Sequence, residues 1–280
     1  MSEWLREDVP DFDVGSVLFA GSGVTGSASL WCKSPSVVAG LAFCQEAVKL
    51  YGVSCAVEEG MGDGVDLRHA SPESKVLVAT LSGEVATLLR LERILLNVLS
   101  RASGIATATR AAVETVARES PEWKGRIAGT RKTTPGFRLI EKSAIVAGGA
   151  DPHRMNLSSA VMLKDNHRAA ASSLPALIAE TRRLAGFTTK IEVEVDSLAI
   201  AKEAAAAGAD IIMFDNYADP ADLQRDAASL KEAYPHIIAE ASGGLTPSTL
   251  GAYAVPAIDI LSTSSIHQGV PHCDFSLKLN

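Results

Sequence analysis

The residues able to do chemistry are concentrated in one stretch of the chain. Between Arg126 and Arg168 stand eight lysines and arginines against three acids, a local charge of +5 in a chain whose total is −7. The densest runs are Thr130-Arg131-Lys132-Thr133-Thr134-Pro135-Gly136-Phe137-Arg138, His153-Arg154 and Lys164-Asp165-Asn166-His167. Adjacent cations at a strand end are costly unless a ligand or carboxylates compensate them. A solvated basic loop would account for any one of these runs, but not for three at neighbouring strand ends. Arginine offers a planar bidentate fork and lysine a point charge. Several of each suit a small ligand carrying two carboxylates, together with phosphates.

Carboxylates follow further along. Glu194 and Asp215 end the apolar runs KIEVEV and DIIMFD. Capping the next helix is the plain role for either one alone. Two on successive strand ends beside a cationic site make a magnesium pair, because Mg²⁺ takes one or two carboxylates plus substrate phosphate oxygens. Glu192 points the same way as Glu194 by strand alternation and is expected to support it. Ser242-Gly243-Gly244, ahead of Thr246-Pro247 opening a helix, reads as a phosphate cradle of exposed backbone N–H groups aided by the helix dipole. A simple turn is the alternative there.

Other motifs carry less. Gly21-Ser22-Gly23-Val24-Thr25-Gly26 matches the GxGxxG nucleotide fingerprint in letters only, since strand-like SASLWCKSP follows where a helix is needed. A hairpin turn is expected there. Cys32, Cys44, Cys55 and Cys273 show no metal-ligand rhythm and read as buried reduced thiols of a cytosolic protein. His69, His236 and His272 have no chemical neighbourhood, and no GxSxG motif is present.

The elements that must position these groups come in two textures. With 280 residues, 47 % apolar and 21 % charged, one large or two unequal domains are expected. Residues 1 to 80 hold short alternating runs with Gly, Ser, Pro and Asp breaks, which read as antiparallel strands around one helix. Residues 84–119 read as two helices, or one broken near Gly104. Thereafter six apolar strands alternate with helices, starting at residues 126, 161, 190, 210, 236 and 259. Such alternation means parallel strands with helical crossovers. Polar groups at the carboxyl end of all six favour a barrel over a doubly wound sheet, whose ligands sit mainly at one switch point. DFSLKL alternates as a half-buried strand and is expected to return to the N-terminal unit. No run of apolar residues is long enough to span a membrane, and the acidic N-terminal stretch lacks the features of a secretory signal. A net charge of −7 argues against nucleic-acid or anionic-membrane partners.

Taken together, GTRKTTPGFR, GGADPHRMNL, MLKDNH, EVEV, GADIIMFDN and EASGG resemble, in order and spacing, the quinolinate phosphoribosyltransferase family. ERILLNVLSRASGIATATR and LREDVP resemble its N-terminal part, and the ending STSSIHQG…DFSLKL resembles its eukaryotic, fungal variety. The resemblance implies an α/β fold: an incomplete seven-stranded α/β barrel over residues 106–265, an N-terminal α+β sandwich over 1–105, and a tail over 266–280. It implies transfer of the phosphoribosyl group of phosphoribosyl pyrophosphate to quinolinate with decarboxylation, giving nicotinate mononucleotide, pyrophosphate and carbon dioxide in de novo NAD biosynthesis.

Residue by residue, the resemblance implies that Arg131, Arg154 and Lys164 hold the quinolinate carboxylates, with Lys132 and His153 beside them. Arg93 would reach the neighbouring subunit's site, making a homodimer the minimum unit and a trimer of dimers the larger assembly. Glu194 and Asp215 would hold Mg²⁺ and the ribose hydroxyls of phosphoribosyl pyrophosphate, with Lys164 close by. Ser242, Gly243 and Gly244 would take its 5-phosphate. Ser264 and His267 stand where most of the family has a glycine loop and are assigned to the same substrate. Lys132 is the candidate proton donor after decarboxylation. A cytoplasmic location, extending to the nucleus, follows from the family. The chain begins close to WLRED, so a shorter N-terminal helix at the dimer edge is expected. The rivals are a barrel enzyme using another aromatic acid, such as nicotinate, and a non-catalytic anion-binding barrel.

Overall fold

The computed structural model describes residues 1–11, 13–70 and 75–280. Along the chain run α1 (Ser2–Asp8), β1 (Thr25–Cys32), α2 (Leu41–Lys49), β2 (Ser54–Val57), β3 (Val76–Glu84), α3 (Val85–Glu119), β4 (Arg126–Ala128) and α4 (Arg138–Gly148). They are followed by β5 (Val161–Leu163), α5 (Asp165–Ala169), α6 (Leu174–Ala185), β6 (Ile191–Val195), α7 (Leu198–Ala206) and β7 (Ile211–Asp215). The last elements are α8 (Pro220–Ala233), β8 (Ile238–Ser242), α9 (Leu250–Tyr253), β9 (Ile260–Ser262) and β10 (Phe275–Leu279). The chain divides into two units. One comprises Met1–Arg110, Thr134–Gly149 and Gly269–Asn280; the other comprises Ala111–Thr133 and Ala150–Gln268.

In the first unit an antiparallel sheet has the order β10-β1-β3-β2. Its central strand β1 alternates with period two: Ala28, Leu30 and Cys32 are buried while Ser27, Ser29 and Trp31 are half-buried. The C-terminal DFSLKL segment supplies β10, which pairs with β1 through Ala28–Leu279 and Leu30–Leu277. Gly21 and Gly23 adopt left-handed φ values of 71° and 68°. That turn enters β1 from a 3-10 turn at Ser16–Leu18, so it is no hairpin, and no helix follows it. The break expected near Gly104 is absent, because α3 is one helix of 35 residues. A Cβ at Gly104 would stand 3.1 Å from the Pro271 carbonyl carbon, so the glycine admits a neighbouring backbone and does not end the helix.

In the second unit a parallel sheet has the order β4-β9-β8-β7-β6-β5. An isolated parallel bridge, Ala128–Asp151, extends it beyond β4 where a seventh strand would run. Ile191, Val193, Ile212 and Phe214 of the middle strands are each 0 % exposed. Each such side chain contributes about 1.5–3 kcal/mol by leaving water. Helix starts are set locally: Ser173 accepts from the Ala176 N–H, Asp219 from the Ala221 N–H, and a proline stands second in α6 and first in α8. At the amino ends of the strands the acids serve the backbone. Asp210 accepts from the Ile191 N–H at 2.8 Å and pairs with Arg182, and Asp259 accepts from the Ala239 N–H at 2.8 Å and pairs with Lys231. The acids at the carboxyl ends are placed differently.

Candidate active site

A cavity of about 380 Å³ lies at the carboxyl ends of the parallel strands. Arg131 and Lys132 after β4, His153 and Arg154 ahead of β5, and Lys164 after β5 all line it. Glu194 of β6, Asp215 of β7, the Ser242–Gly244 turn after β8 and Ser262 of β9 complete the wall. Strands β4 and β5 are the two ends of the sheet order, yet both reach this cavity. The sheet is therefore rolled around it, as in a barrel with one open seam.

Each cation is held in its own way. Arg131 Nε is buried and has no hydrogen-bond partner among the described residues. Such an orphaned donor costs about 1–3 kcal/mol until something accepts from it. Arg154 donates from Nη1 to the Ala160 carbonyl at 3.2 Å and from Nη2 to Met162 Sδ at 3.3 Å. Burial lowers its pKa below the usual guanidinium value; the negative charge of Glu192 opposes this and Arg131 adds to it. Lys164 is the N-cap of α5, its backbone N–H is accepted by His167 Nδ1 at 3.1 Å, and its Nζ forms an ion pair with Glu194. Arg168 donates to the Glu194 carbonyl at 3.0 Å. Arg126 is spent on a surface pair with Asp151 at 3.1 Å.

Strand pairing puts Glu194 opposite Met213, so Asp215 lies on the same face one alternation further along. Burial raises the Asp215 pKa, and the charge of Glu194 raises it further; Lys164 and Lys132 act against both. Two half-buried carboxylates that repel one another offer hard oxygen donors of the kind Mg²⁺ takes. Asn216 holds Asp215 through Nδ2 to Oδ2 at 2.6 Å, and its own N–H donates to the Ser242 carbonyl at 3.0 Å. Its φ of 57° is left-handed.

Gly243 and Gly244 have φ values of 92° and 65°. A Cβ on Gly243 would lie 2.6 Å from the Asn216 backbone nitrogen, so only glycine fits. The helix expected from Thr246 begins instead at Leu250 and has four residues, since residues 247–249 form a turn. An anion at this turn would therefore meet the backbone N–H groups of the glycines, with little helix dipole behind them.

Ser264 and His267 do not line the cavity. His267 is 0 % exposed, and its Nε2 accepts from the Thr130 N–H at 3.2 Å. It braces the loop that carries Arg131. Arg93 is exposed on α3 in the first unit, where it lines a separate cavity of about 220 Å³ with Trp4, Ile94 and Phe137. Glu240 lines the site without having been singled out in the sequence. Strand alternation back from Ser242 would have found Glu240. Glu192 is 1 % exposed, and burial and then the charge of Glu240 push its carboxyl up to about 8, with His153, Arg154 and Lys164 opposing.

The sequence profile for quinolinate phosphoribosyl transferase, N-terminal domain, matches residues 13–103, and that for the C-terminal domain matches residues 105–278. The carboxylating nicotinate-nucleotide pyrophosphorylase of Dictyostelium discoideum is 43 % identical over 285 residues, covering 100 % of this chain and 94 % of its own length. The Homo sapiens protein of that name is 43 % identical over 279 residues, covering 100 % of this chain and 90 % of its own. The crystal structure of NadC from Streptococcus pyogenes superposes with a TM-score of 0.85 at 37 % identity, over 100 % of this chain and 95 % of that one. The chain belongs to the quinolinate phosphoribosyltransferase family.

Proposed function

We propose that this chain transfers the phosphoribosyl group of phosphoribosyl pyrophosphate to quinolinate with loss of carbon dioxide, forming nicotinate mononucleotide in NAD biosynthesis. The observation that carries the reading is one cavity with three kinds of wall. Arg131, Arg154 and Lys164 face it as cations, Glu194 and Asp215 as carboxylates, and Gly243–Gly244 as bare backbone. A dicarboxylate and a sugar phosphate need these three kinds of partner, and relatives along the whole chain carry the carboxylating name.

The reaction divides among these walls. Arg131, Arg154 and Lys164 bind the two carboxylates, and the orphaned Arg131 Nε gains an acceptor. They aim the pyridine nitrogen at the anomeric carbon, which is positioning work. The nitrogen–carbon bond forms as the bond to pyrophosphate breaks, through an oxocarbenium-like centre. The backbone nest at Gly243–Gly244 and the Ser242 hydroxyl hold the 5-phosphate, while Glu194 and Asp215 hold the ribose hydroxyls. The same two carboxylates would hold Mg²⁺, which when bound supplies positive charge against the pyrophosphate oxygens. Once alkylated, the ring nitrogen is cationic and accepts the electron pair left when the adjacent carboxylate departs as carbon dioxide. Lys132, exposed at the cavity wall, is the group we assign to protonating that carbon.

Arg93 is the residue we assign to the neighbouring subunit's site, with a homodimer as the working unit. The cytoplasm is the compartment we assign, on cysteine usage. No helix among the described residues is long and apolar enough to cross a membrane.

Steady-state kinetics of two variants test the division of the cavity. Arg154→Ala is expected to raise the quinolinate KM by about a hundredfold or abolish turnover, as the loss of a charged contact does. Asp215→Ala is expected to weaken magnesium-dependent use of the sugar substrate. Kinetics close to wild type for both would remove the assignment.

A further inference from the structure

His153, Glu192 and Glu240 come together in the second unit, with one ligand-capable atom from each lying within 4.8 Å of the others. One imidazole and two carboxylates at such distances resemble a metal centre. The hydrogen bonds argue otherwise. The Arg154 backbone N–H donates to His153 Nδ1 at 2.7 Å. A ring nitrogen that accepts carries no proton, so in the neutral imidazole the proton sits on Nε2. Nε2 then donates to Glu240 Oε1 at 3.3 Å. A metal on Nε2 would move that proton to Nδ1, where it would meet the Arg154 N–H head on. Metal-bound histidines instead turn the second ring nitrogen toward an acceptor.

The group is better described as a chain of hydrogen bonds ending on one oxygen. Ser262 Oγ donates to the same Glu240 Oε1, at 2.5 Å. Glu240 is 2 % exposed and Ser262 is 3 % exposed, so this anchor is fixed in the barrel interior. What it holds is under strain: His153 has a φ of 57°, the left-handed region, without being glycine. Such a conformation is unfavourable for a residue with a side chain and persists only where its surroundings impose it. The next residue is Arg154, whose backbone direction follows from that of His153.

We propose that Glu240 is a positioning residue for quinolinate binding. Through His153 it fixes the backbone turn that points the Arg154 guanidinium into the cavity, with Ser262 locking the carboxylate in place. This rests on the reading that Arg154 holds a quinolinate carboxylate. His153 itself is then a spacer with both ring nitrogens committed to the protein and is no cation toward the substrate.

The test is steady-state kinetics on the full chain for Glu240→Ala, Glu240→Gln and Arg154→Ala, varying quinolinate and phosphoribosyl pyrophosphate separately. Glu240→Ala is expected to raise the quinolinate KM about tenfold and the sugar-substrate KM less than about twofold, as misdirection of one binding group does. Glu240→Gln keeps an oxygen able to accept from both Ser262 and His153, and is expected to restore most of the quinolinate KM. An unchanged quinolinate KM in Arg154→Ala would overturn the role of Arg154 itself. If Arg154→Ala is impaired and Glu240→Ala is not, the positioning role alone is overturned. Equal loss for both substrates in Glu240→Ala, or no recovery in Glu240→Gln, also overturns it. Should Glu240→Ala fail to fold, nitrogen NMR of wild-type protein labelled in its histidine rings decides the matter. The His153 signals are identified by their loss in His153→Asn. A proton on Nε2 supports the chain, and a proton on Nδ1 contradicts it.

Discussion

Arg168 Nη1 donates to the main-chain oxygen of Glu194 at 3.0 Å, while its Nη2 stands 3.8 Å from Asp196. A cation of the basic stretch with no evident ligand thus holds the end of β6 from α5, at the strand's penultimate residue, Glu194. Arg168→Ala is expected to raise the KM for phosphoribosyl pyrophosphate by about three- to tenfold while changing the quinolinate KM less, the scale set by a slightly misplaced binding group. Initial-rate measurements with each substrate varied in turn provide the check. Equal effects on both would indicate general loosening of the barrel.

Gly243 is constrained twice, by a φ of 92° and by the Asn216 nitrogen that a Cβ would approach to 2.6 Å. Gly243→Ala must either distort the nest or push Asn216 off Asp215. We expect it to lose about 1–3 kcal/mol of stability from backbone strain and to raise the KM of the sugar substrate more than that of quinolinate. Thermal unfolding and kinetics on the same preparation would show both effects. An alanine variant that bound the sugar substrate normally would exclude the nest as the phosphate site.

Gly104 is a pure packing residue in this structure, with the Pro271 backbone occupying the space a side chain would need. In an exposed helix Gly→Ala would stabilise by about 1 kcal/mol. Here the opposite sign is expected, a loss of about 1–3 kcal/mol from overpacking. Denaturant midpoints of wild type and Gly104→Ala give the sign directly.

Asp66 supplies a pH-dependent stability contribution in the first unit. Arg68 donates to its carboxylate from Nε at 2.9 Å and from Nη2 at 2.5 Å, and these bonds hold the carboxyl at about 2 against an ordinary 3.8. The folded value is the lower one, so the contribution is complete above the unfolded value and fades as pH falls toward the folded one. Asp66→Asn should therefore be less stable than wild type at neutral pH, with the gap closing as pH falls from 3.8 to about 2. A gap that stayed constant over this range would mean the carboxylate contributes nothing as a charge.

The strand ends were legible in the sequence because two local signals coincide there: an apolar run that stops, and a charged or glycine residue that follows. Arg131, Lys164, Glu194, Asp215 and Gly243 all carry that mark, and all line one cavity. What was not legible depends on distant partners. The reason for Gly104 lies at Pro271, so a glycine inside a helix read as a break. Thr246-Pro247 has the composition of a helix start, but the chain turns there first. Glu240 was hidden in EASGG because its significance lies in His153, 87 positions away along the chain. His267 is assigned to the sugar substrate only by its place in the family's glycine loop, yet it is buried against Thr130.

On the proposed reaction, this cavity couples glycosyl transfer to loss of a carboxylate. The most direct measurement incubates the purified chain with phosphoribosyl pyrophosphate, Mg²⁺ and quinolinate labelled in the 2-carboxyl group, and follows labelled carbon dioxide against nicotinate mononucleotide. One carbon dioxide released per nucleotide formed, with no turnover of nicotinate in place of quinolinate, is the expected result. Nucleotide formed from nicotinate without carbon dioxide, or no product from a folded protein supplied with both substrates, would contradict it.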